Sequence, residues 1–378
     1  MYFKIEIMKQ NSICYIGIMS GTSLDGIDIA LVNIVNGQTR LVASLETPFT
    51  ESLHQLLSSI ITNKTCNIAD IGNASYQLAC EYAAAVNQLL QTQQVDANEI
   101  KAIGAHGQTV FHDPNSETPH STQLLNASVL AAKTGITCVH NFREMDVSLG
   151  GQGAPLVPLF HQSLLAQINS NKHKDSQVFA NIGGIANLTI CHQDTLLGFD
   201  SGPGNTLIDG FTQQAFDQPY DRNGDFAKQG KINQELLKQL LDDDYFALPT
   251  PKSTGREYFN LTWLRQKCAE NTFNNHDMLA TLTELTALTI ASPIQSKVGT
   301  LVLCGGGAKN AYLVARLQHH LPDWHVTTSD NVGVSADFME AMAFAWMAYR
   351  TLNHLPANAP SVTGANKAAV LGQITFAP

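Results

Sequence analysis

A pattern of short apolar runs occurs twice in this chain, and it constrains the fold more than any single motif. In the first half, ICYIGIM (13–19), IDIALVNIV (27–35) and TRLVASLET (39–47) follow one another closely. They are joined by the turn SGTSLDG and by Asn36-Gly37, a hairpin dipeptide. Two helical stretches follow, ESLHQLLSSIIT and IADIGNASYQLACEYAAAVNQLLQTQ. Then come a strand, IKAIGA (100–105), a helix, NASVLAAKT (126–134), and a strand, GITCVHNF (135–142). The second half repeats the order. QVFANIG (177–183), ANLTICH (186–192) and TLLGFD (195–200) read as strands, and a helix starts near Thr206. A longer helical region runs through ELLKQLLDD and LATLTELTALTIASPIQ. GTLVLCG (299–305), the helix NAYLVARLQHHL and DWHVTTS (323–329) complete the unit, and ADFMEAMAFAWMAYRTLN is a closing helix. Three strands too close together for crossovers make an antiparallel meander, and strands separated by helices add in parallel. The expected fold is α/β: two domains, each a mixed five-stranded sheet flanked by helices, with a cleft between them.

Composition narrows the function. At 378 residues, 44% hydrophobic and only 14% charged, the chain has apolar material for two or three cores. No run approaches the roughly 18–20 apolar residues of a membrane span. The opening MYFKIEIMKQ has no apolar signal-peptide core, so export is not expected and the first ten or so residues read as an extension. Seven cysteines, none in a CxxC pair and several inside strand-like runs, read as reduced buried thiols of a cytoplasmic protein. A net charge of −10 with no basic stripe argues against a nucleic-acid partner. An anionic ligand would have to be held locally, by backbone N–H groups, helix N-termini or a bound cation.

Four glycine-rich turns could hold such a ligand, namely GIMSGTSLDGID (17–28), NIGGIAN (181–187), GFDSGPGN (198–205) and LCGGGAKN (303–310). Each alone is also what any tight turn uses. No GxxxxGK[ST] and no GxGxxG opening a first βα unit is present, which disfavours the P-loop and Rossmann readings. The first turn carries Ser20, Thr22, Ser23 and Asp25 within six residues, a set able to wrap phosphates, with the acid near a magnesium ion. Asp200 ends an apolar strand and is followed at once by small residues. It is either a turn or cap residue or a carboxylate with room cleared around it.

This layout resembles the sugar kinase, actin and heat-shock-chaperone ATPase superfamily, built on two RNase-H-like domains. More closely, GIMSGTSLDGIDIALV, AHGQTVFHDP, LGGQGAPLVPLFH, NIGGIANLT, GFDSGPGN, PKSTGREYFN, LCGGGAKNAYL and ADFMEAMAFAW resemble the anhydro-N-acetylmuramic acid kinase family. The matches run in order from about residue 13 to the C-terminus. The resemblance implies a first domain of residues 1–143 plus 352–378, holding the first phosphate loop and part of the sugar site, and a second of 144–351. It implies ATP and Mg2+ as cofactors, and a reaction in which water opens 1,6-anhydro-N-acetylmuramic acid while ATP phosphorylates it, in cell-wall recycling. It also implies a homodimer.

Residue by residue, the resemblance makes Asp200 the catalytic base. It places Gly21, Thr22, Ser23, Leu24, Asp25, Gly26, Ile27 and Asp28 in the first ATP loop, with Asp25 a magnesium candidate. Gly183, Gly184, Gly202, Gly204 and Asn205 fall in the second set of phosphate turns. Gly305, Gly306, Gly307 and Asn310 fall where the superfamily holds adenosine. His106, Gln108, Gln123, Arg143, Asp146, Gly151, Gln152 and Glu340 fall on the sugar side. Alternatives stay open there: His106 as a structural histidine, Glu340 as a solvated helix-face glutamate.

Two stretches depart from the family pattern. Where the family commonly reads DFRRRD, this chain has Asn141, Phe142, Arg143, Glu144, Met145, Asp146. Where it reads QIGN, this chain has Gln123, Leu124, Leu125, Asn126. Both lie on the substrate side. They keep alive the reading of a kinase of the same fold for another sugar or amino sugar; a further alternative is an ATP-binding switch without this chemistry, against which the retained Asp200 and GGQGAP stretch argue.

Overall fold

The computed structural model describes residues 13–21, 24–63, 66–168, 176–192, 195–268, 273–332 and 334–378. The first three strands are β1 (Ile13–Met19), β2 (Ile27–Val35) and β3 (Gln38–Thr47), followed by α1 (Glu51–Thr62) and α2 (Ile68–Gln93). Thr50 and Asn67 cap these two helices, each accepting from a backbone N–H of the first turn. Next come β4 (Ile100–Ala105), a hairpin of β5 (Gln108–Asp113) and β6 (His120–Leu124), α3 (Ala127–Thr134) and β7 (Cys138–His140). Two helices, α4 (Arg143–Ser148) and α5 (Pro158–Ile168), precede the second meander of β8 (Ser176–Ile182), β9 (Ile185–His192) and β10 (Thr195–Pro203). The helices α6 (Thr206–Phe216), α7 (Gln234–Leu241), α8 (Asp244–Ala247), α9 (Leu261–Cys268) and α10 (Asn275–Ala291) lead to β11 (Gly299–Cys304). The chain ends with α11 (Ala311–His320), β12 (Trp324–Thr328), α12 (Met339–Leu352), α13 (Pro360–Thr363) and β13 (Gln373–Thr375).

The expected meanders and parallel additions are present. One sheet has the order β13-β7-β4-β1-β2-β3 and the other β10-β9-β8-β11-β12. In each, the first strand pairs antiparallel with the second and parallel with the strand that follows the helices. The first sheet has six strands where the sequence pattern predicts five, because the C-terminal β13 pairs antiparallel with β7. The strand read over 135–142 shortens to Cys138–His140, because Asn141 adopts φ +55 and turns Phe142 into the core.

The chain divides into two compact units, Met1–Leu164 with Gly333–Pro378, and Leu165–Val332. This differs from the division at 143/144 and 351/352 drawn from the sequence. The closing helix α12, assigned there to the second domain, lies on the first sheet. Gly17 of β1 and Gly104 of β4 are register partners across the parallel pair. A Cβ on Gly17 would fall into the Ala341 carbonyl, and one on Gly104 into the Phe344 carbonyl. Two bare backbone positions therefore let α12 approach the sheet main chain to main chain. In the second unit, α10 is buried along its length. Ala287, Ile290 and Ala291 belong to the core against the sheet, and Met278, Leu279, Leu282 and Leu285 to a second core with Leu236, Phe259 and Trp263.

Gly104→Ala should cost at least about 2 kcal/mol of stability in denaturant unfolding, because the Phe344 carbonyl cannot retreat from a methyl group without moving α12. An alanine at Gly72, exposed on α2 with an ordinary φ and nothing within 4 Å of its Cβ, is the control in which only the methyl group is added.

Candidate active site

In the first unit the chain after β1 is anchored at Leu24. Leu24 adopts φ +59 while its side chain enters the first core, and its N–H donates to the Gly21 carbonyl at 3.2 Å. A positive φ in a leucine is a strained backbone held by its surroundings. Asp25 projects to solvent, and Ile27 is a core side chain that contributes only backbone to the turn. Thr22 and Ser23 lie outside the described residues. Asp28 opens β2 directly opposite Glu46 on β3. Burial, with Glu46, Glu340, Asp337 and Asp25 adding negative charge, pushes its carboxyl up to about 6.

Four of the sugar-side candidates come together at the ends of β4 and α12. Arg143 Nε donates to His106 Nε2 at 2.9 Å, and its Nη1 donates to the Gly153 carbonyl at 2.7 Å. His106 therefore accepts at Nε2 and is neutral; burial and the Arg143 charge hold its pKa well below the ordinary value. Its ring lies 4.8 Å from that of Phe344, one turn beyond Glu340 on α12. Glu340 reaches solvent, yet protein crowds it on most sides. That desolvation raises its carboxyl, with Arg143 pulling the other way. Gln108, fully buried, donates to the Gly21 carbonyl at 3.1 Å and so joins this cluster to the turn after β1. Gln123 donates to Thr109 and Ser121. The buried Oε1 atoms of both glutamines accept no hydrogen bond among the described residues.

Asp146 is different. It is completely buried, and its carboxylate accepts from Gly153 N–H (2.8 Å), Asn358 Nδ2 (2.7 Å) and the Thr363 hydroxyl (2.8 Å). It ties the GGQGAP loop to the C-terminal segment and has no reach to a ligand. Gly151 packs against that carboxylate, and Gln152 is held by its N–H to the Thr363 carbonyl and by its side chain to Asn115. The two non-family residues Glu144 and Met145 lie on the exposed side of α4, and Leu125 lies against Gly107.

In the second unit three of the glycine turns converge. The N–H groups of Gly204 and Thr206 donate to the Gly184 carbonyl, and that of Asn205 to the Gly183 carbonyl. Asn205 Nδ2 donates to the Ile182 carbonyl at 3.2 Å, and the Asn205 amide lies beside Gly306 and Gly307. Gly305 takes φ +76 to turn the chain there. Asn310 is buried and caps α11, its Oδ1 accepting from Leu313 N–H. The Arg256 guanidinium lies on Gly184 in the space a side chain would take. It faces Asp209 of α6, which burial raises to about 6 against the pull of that arginine.

Asp200 stands at the end of the regular pairing of edge strand β10, where Ser201 is bulged and Gly202 packs against Phe246 and Thr289. Its N–H donates to the Lys252 carbonyl (2.9 Å), its carbonyl accepts from the Tyr245 hydroxyl (2.7 Å), and its Oδ2 accepts from Thr254 N–H (3.0 Å). No described residue donates to Oδ1. Burial raises the carboxyl, opposed by the Thr254 bond. It caps no helix: α6 starts at Thr206. The sequence reading singles out none of Tyr245, Lys252, Thr254 and Arg256. The stretch PKSTGREYFN is the signal for the last three, and Tyr245 lies before it with none.

Paired RNase-H-like sheets, each opening on a glycine-bearing hairpin turn, with a strand-end aspartate in the second, define the sugar kinase and actin class of fold. The anhydro-N-acetylmuramic acid kinase family model matches residues 13–377. The anhydro-N-acetylmuramic acid kinase of Vibrio vulnificus (strain CMCP6) is 47% identical over 363 residues, covering 95% of this chain and 97% of that one. That of Pasteurella multocida (strain Pm70) is 45% identical over 373 residues, covering 97% and 98%. Among solved structures, component A of the (R)-2-hydroxyglutaryl-CoA dehydratase of Acidaminococcus fermentans aligns with a TM-score of 0.47 at 14% identity, covering 90% of this chain and 100% of that one. The chain belongs to the anhydro-N-acetylmuramic acid kinase family.

Two expectations follow from this geometry. Asp146→Ala leaves the buried Gly153 N–H without an acceptor and strips one bond each from Asn358 and Thr363, which keep only the Lys367 and Ala359 carbonyls, and should lower unfolding stability by about 2–4 kcal/mol. Because Asp28 binds its proton more tightly folded than unfolded, it contributes stability at low pH that is lost as pH rises through about 6. Asp28→Asn should therefore flatten that loss and be more stable than the parent at neutral pH by on the order of 1 kcal/mol, read from urea midpoints at acidic and neutral pH.

Proposed function

We propose that the chain consumes ATP and water to convert 1,6-anhydro-N-acetylmuramic acid to N-acetylmuramic acid 6-phosphate and ADP, with Asp200 as the base. The observation that carries this is the Asp200 carboxylate: half-buried, raised, with one oxygen held and the other open. A base needs reach first and a suitable pKa second. Asp200 takes a proton from a water whose oxygen bonds to C1 as the C1–O6 bond breaks. O6 then bonds to the γ-phosphorus as the bond to ADP breaks, and the proton leaves Asp200 to solvent after turnover.

The remaining residues bind and orient. The turn at Gly21–Asp28 and the turns at Gly183–Gly184 and Gly305–Gly307 offer backbone N–H groups to the nucleotide, while Gly204 and Asn205 spend theirs on the Gly184 and Gly183 carbonyls and brace that turn. Arg143, with Nε and Nη1 engaged, keeps Nη2 for the substrate carboxylate. The unmet acceptors of Gln108 and Gln123 fit hydroxyl or amide donors of an amino sugar. The uncompensated carboxylates around Asp25 and Asp28 suit a divalent cation carried on the phosphates, although no group of three or more His, Cys, Asp or Glu is arranged as a protein metal cage among the described residues. When bound, magnesium would neutralise charge on the transferring phosphoryl group. The same reading makes the protein a cytoplasmic homodimer of bacterial cell-wall recycling. The seven cysteines, all unpaired, accord with a reducing compartment.

Mass spectrometry of the full chain with magnesium-ATP and the anhydro sugar should give the mass of N-acetylmuramic acid 6-phosphate, with ATP turnover dependent on the sugar. Asp200→Asn should lower turnover by at least about a hundredfold. Absence of product from a protein that still binds ATP would overturn the assignment and direct attention to Leu125.

A further inference from the structure

Asp200 sits on an edge strand, so no neighbouring strand orders its outer side. A non-strand segment does so instead. Lys252 accepts the Asp200 N–H, and Thr254 donates to Oδ2. What holds this segment in place is the Lys252 ammonium. Its Nζ donates to the Tyr245 carbonyl at 2.9 Å and the Phe246 carbonyl at 3.2 Å, within the short helix α8, and lies 4.6 Å above the centre of the Tyr245 ring. Tyr245 is itself fixed. It is buried, and its N–H donates to Asp243 Oδ1, a carboxylate that also accepts from Trp263, Tyr258 and Lys267. The Tyr245 hydroxyl then closes the ring of contacts on the Asp200 carbonyl.

We propose that Tyr245 and Lys252 are positioning residues that hold the Asp200 carboxylate in one orientation, with Oδ2 turned to the Thr254 amide and Oδ1 left for the attacking water. This rests on the reading of Asp200 as the base. The positioning also tunes the base. A hydrogen bond to the charged form favours that form, so the Thr254 amide counters the burial that raises this carboxyl. If the segment loosens, burial acts unopposed and the carboxyl rises further. A residue that served only the fold would lower the amount of active enzyme and leave the titration of the base where it was.

The test is kcat and KM across the acidic range for the full chain with magnesium-ATP and 1,6-anhydro-N-acetylmuramic acid. Tyr245→Phe removes one hydroxyl and keeps the ring under Lys252; Lys252→Met removes the charge; Lys252→Arg keeps it. Tyr245→Phe and Lys252→Met should each lower kcat about tenfold, with KM for ATP unchanged. Each should move the acidic limb of the rate profile upward by roughly half a unit to one unit, and Lys252→Arg should recover most of both. An acidic limb that stays in place in both variants, or an unchanged kcat, would overturn the proposal. Asp200→Asn run in parallel separates the two ideas. Wild-type turnover there removes the base and this proposal with it, whereas an inactive Asp200→Asn beside unmoved limbs removes this proposal alone.

Discussion

The contact of α12 with the two glycines of β1 and β4 is the constraint on which the first unit depends. A helix normally stands off a sheet by the length of its side chains. At Gly17 and Gly104 there is nothing to hold it off, and the Ala341 and Phe344 carbonyls come down onto the strands. The approach sets the height of everything α12 carries. Phe344 reaches both the His106 ring, at 4.8 Å, and the Phe142 ring, at 5.5 Å. His106 in turn receives Arg143, and Glu340 lies one turn before Phe344, where its charge acts on Arg143 and on Asp28. The polar cluster thus inherits its geometry from two absent side chains.

The carboxylates of this protein sort by how many donors they have. Asp243 accepts from Trp263, Lys267, Tyr258 and the Tyr245 backbone, and these overcome burial to bring it down to about 2. Glu284 is buried on α10 and also lowered, because Arg316 grips it with two bonds of 2.6 and 2.9 Å and His320 with a third of 2.8 Å. These are structural acids, ionised and occupied. Asp28, Asp200, Asp209 and Glu340 are desolvated without enough donors, and all four are raised. Such under-donated acids hold free energy that a ligand, a proton or a cation can release, and they cluster at sites of chemistry. Asp28, Asp200 and Asp209 lie on or beside the turns that the sequence singles out by their glycines, and Glu340 acts on Asp28 from α12.

Much of the fold was legible because it rests on local signals. Apolar alternation, Asn36-Gly37 and the capping residues Thr50 and Asn67 act within a few positions of themselves. The β5–β6 hairpin was not legible, since QTVFHDPNSETPHSTQL is too polar for its strands to stand out from its loop. Which sheet α12 covers was not legible either. Apolar all round, it would suit any core, and only Gly17 and Gly104, unexplained glycines inside strands, hinted at a close approach. In the site, Asp200 and the glycine turns announced themselves by contrast with their apolar neighbours. The groups that hold Asp200 did not, because Lys252 and Thr254 reach it through main-chain atoms that every residue possesses. Asp146 illustrates the converse. An acid beside a functional motif reads as a ligand-facing group, and sequence does not say that its side chain turns inward onto Asn358 and Thr363.

Position decides the weight of each departure from the family pattern. Replacing two arginines by Glu144 and Met145 removes two positive charges and adds one negative, a change of three units on α4. Both side chains are exposed, while Arg143, the cation that meets His106, is retained and turned the other way. Exposed charge is screened within about 10 Å at ordinary salt, so these two positions act chiefly on the surface field. Leu125 is the more consequential change. It lies against Gly107, between His106 and Gln108, and follows Gln123, whose acceptor is unmet. A glycine there would present only backbone to Gly107, whereas the leucine packs its side chain against the first core beside that turn. A side chain packed beside Gly107 bears on the backbone that joins His106 to Gln108, whereas two exposed side chains on α4 do not, so Leu125 is the departure that touches the framework of the polar cluster.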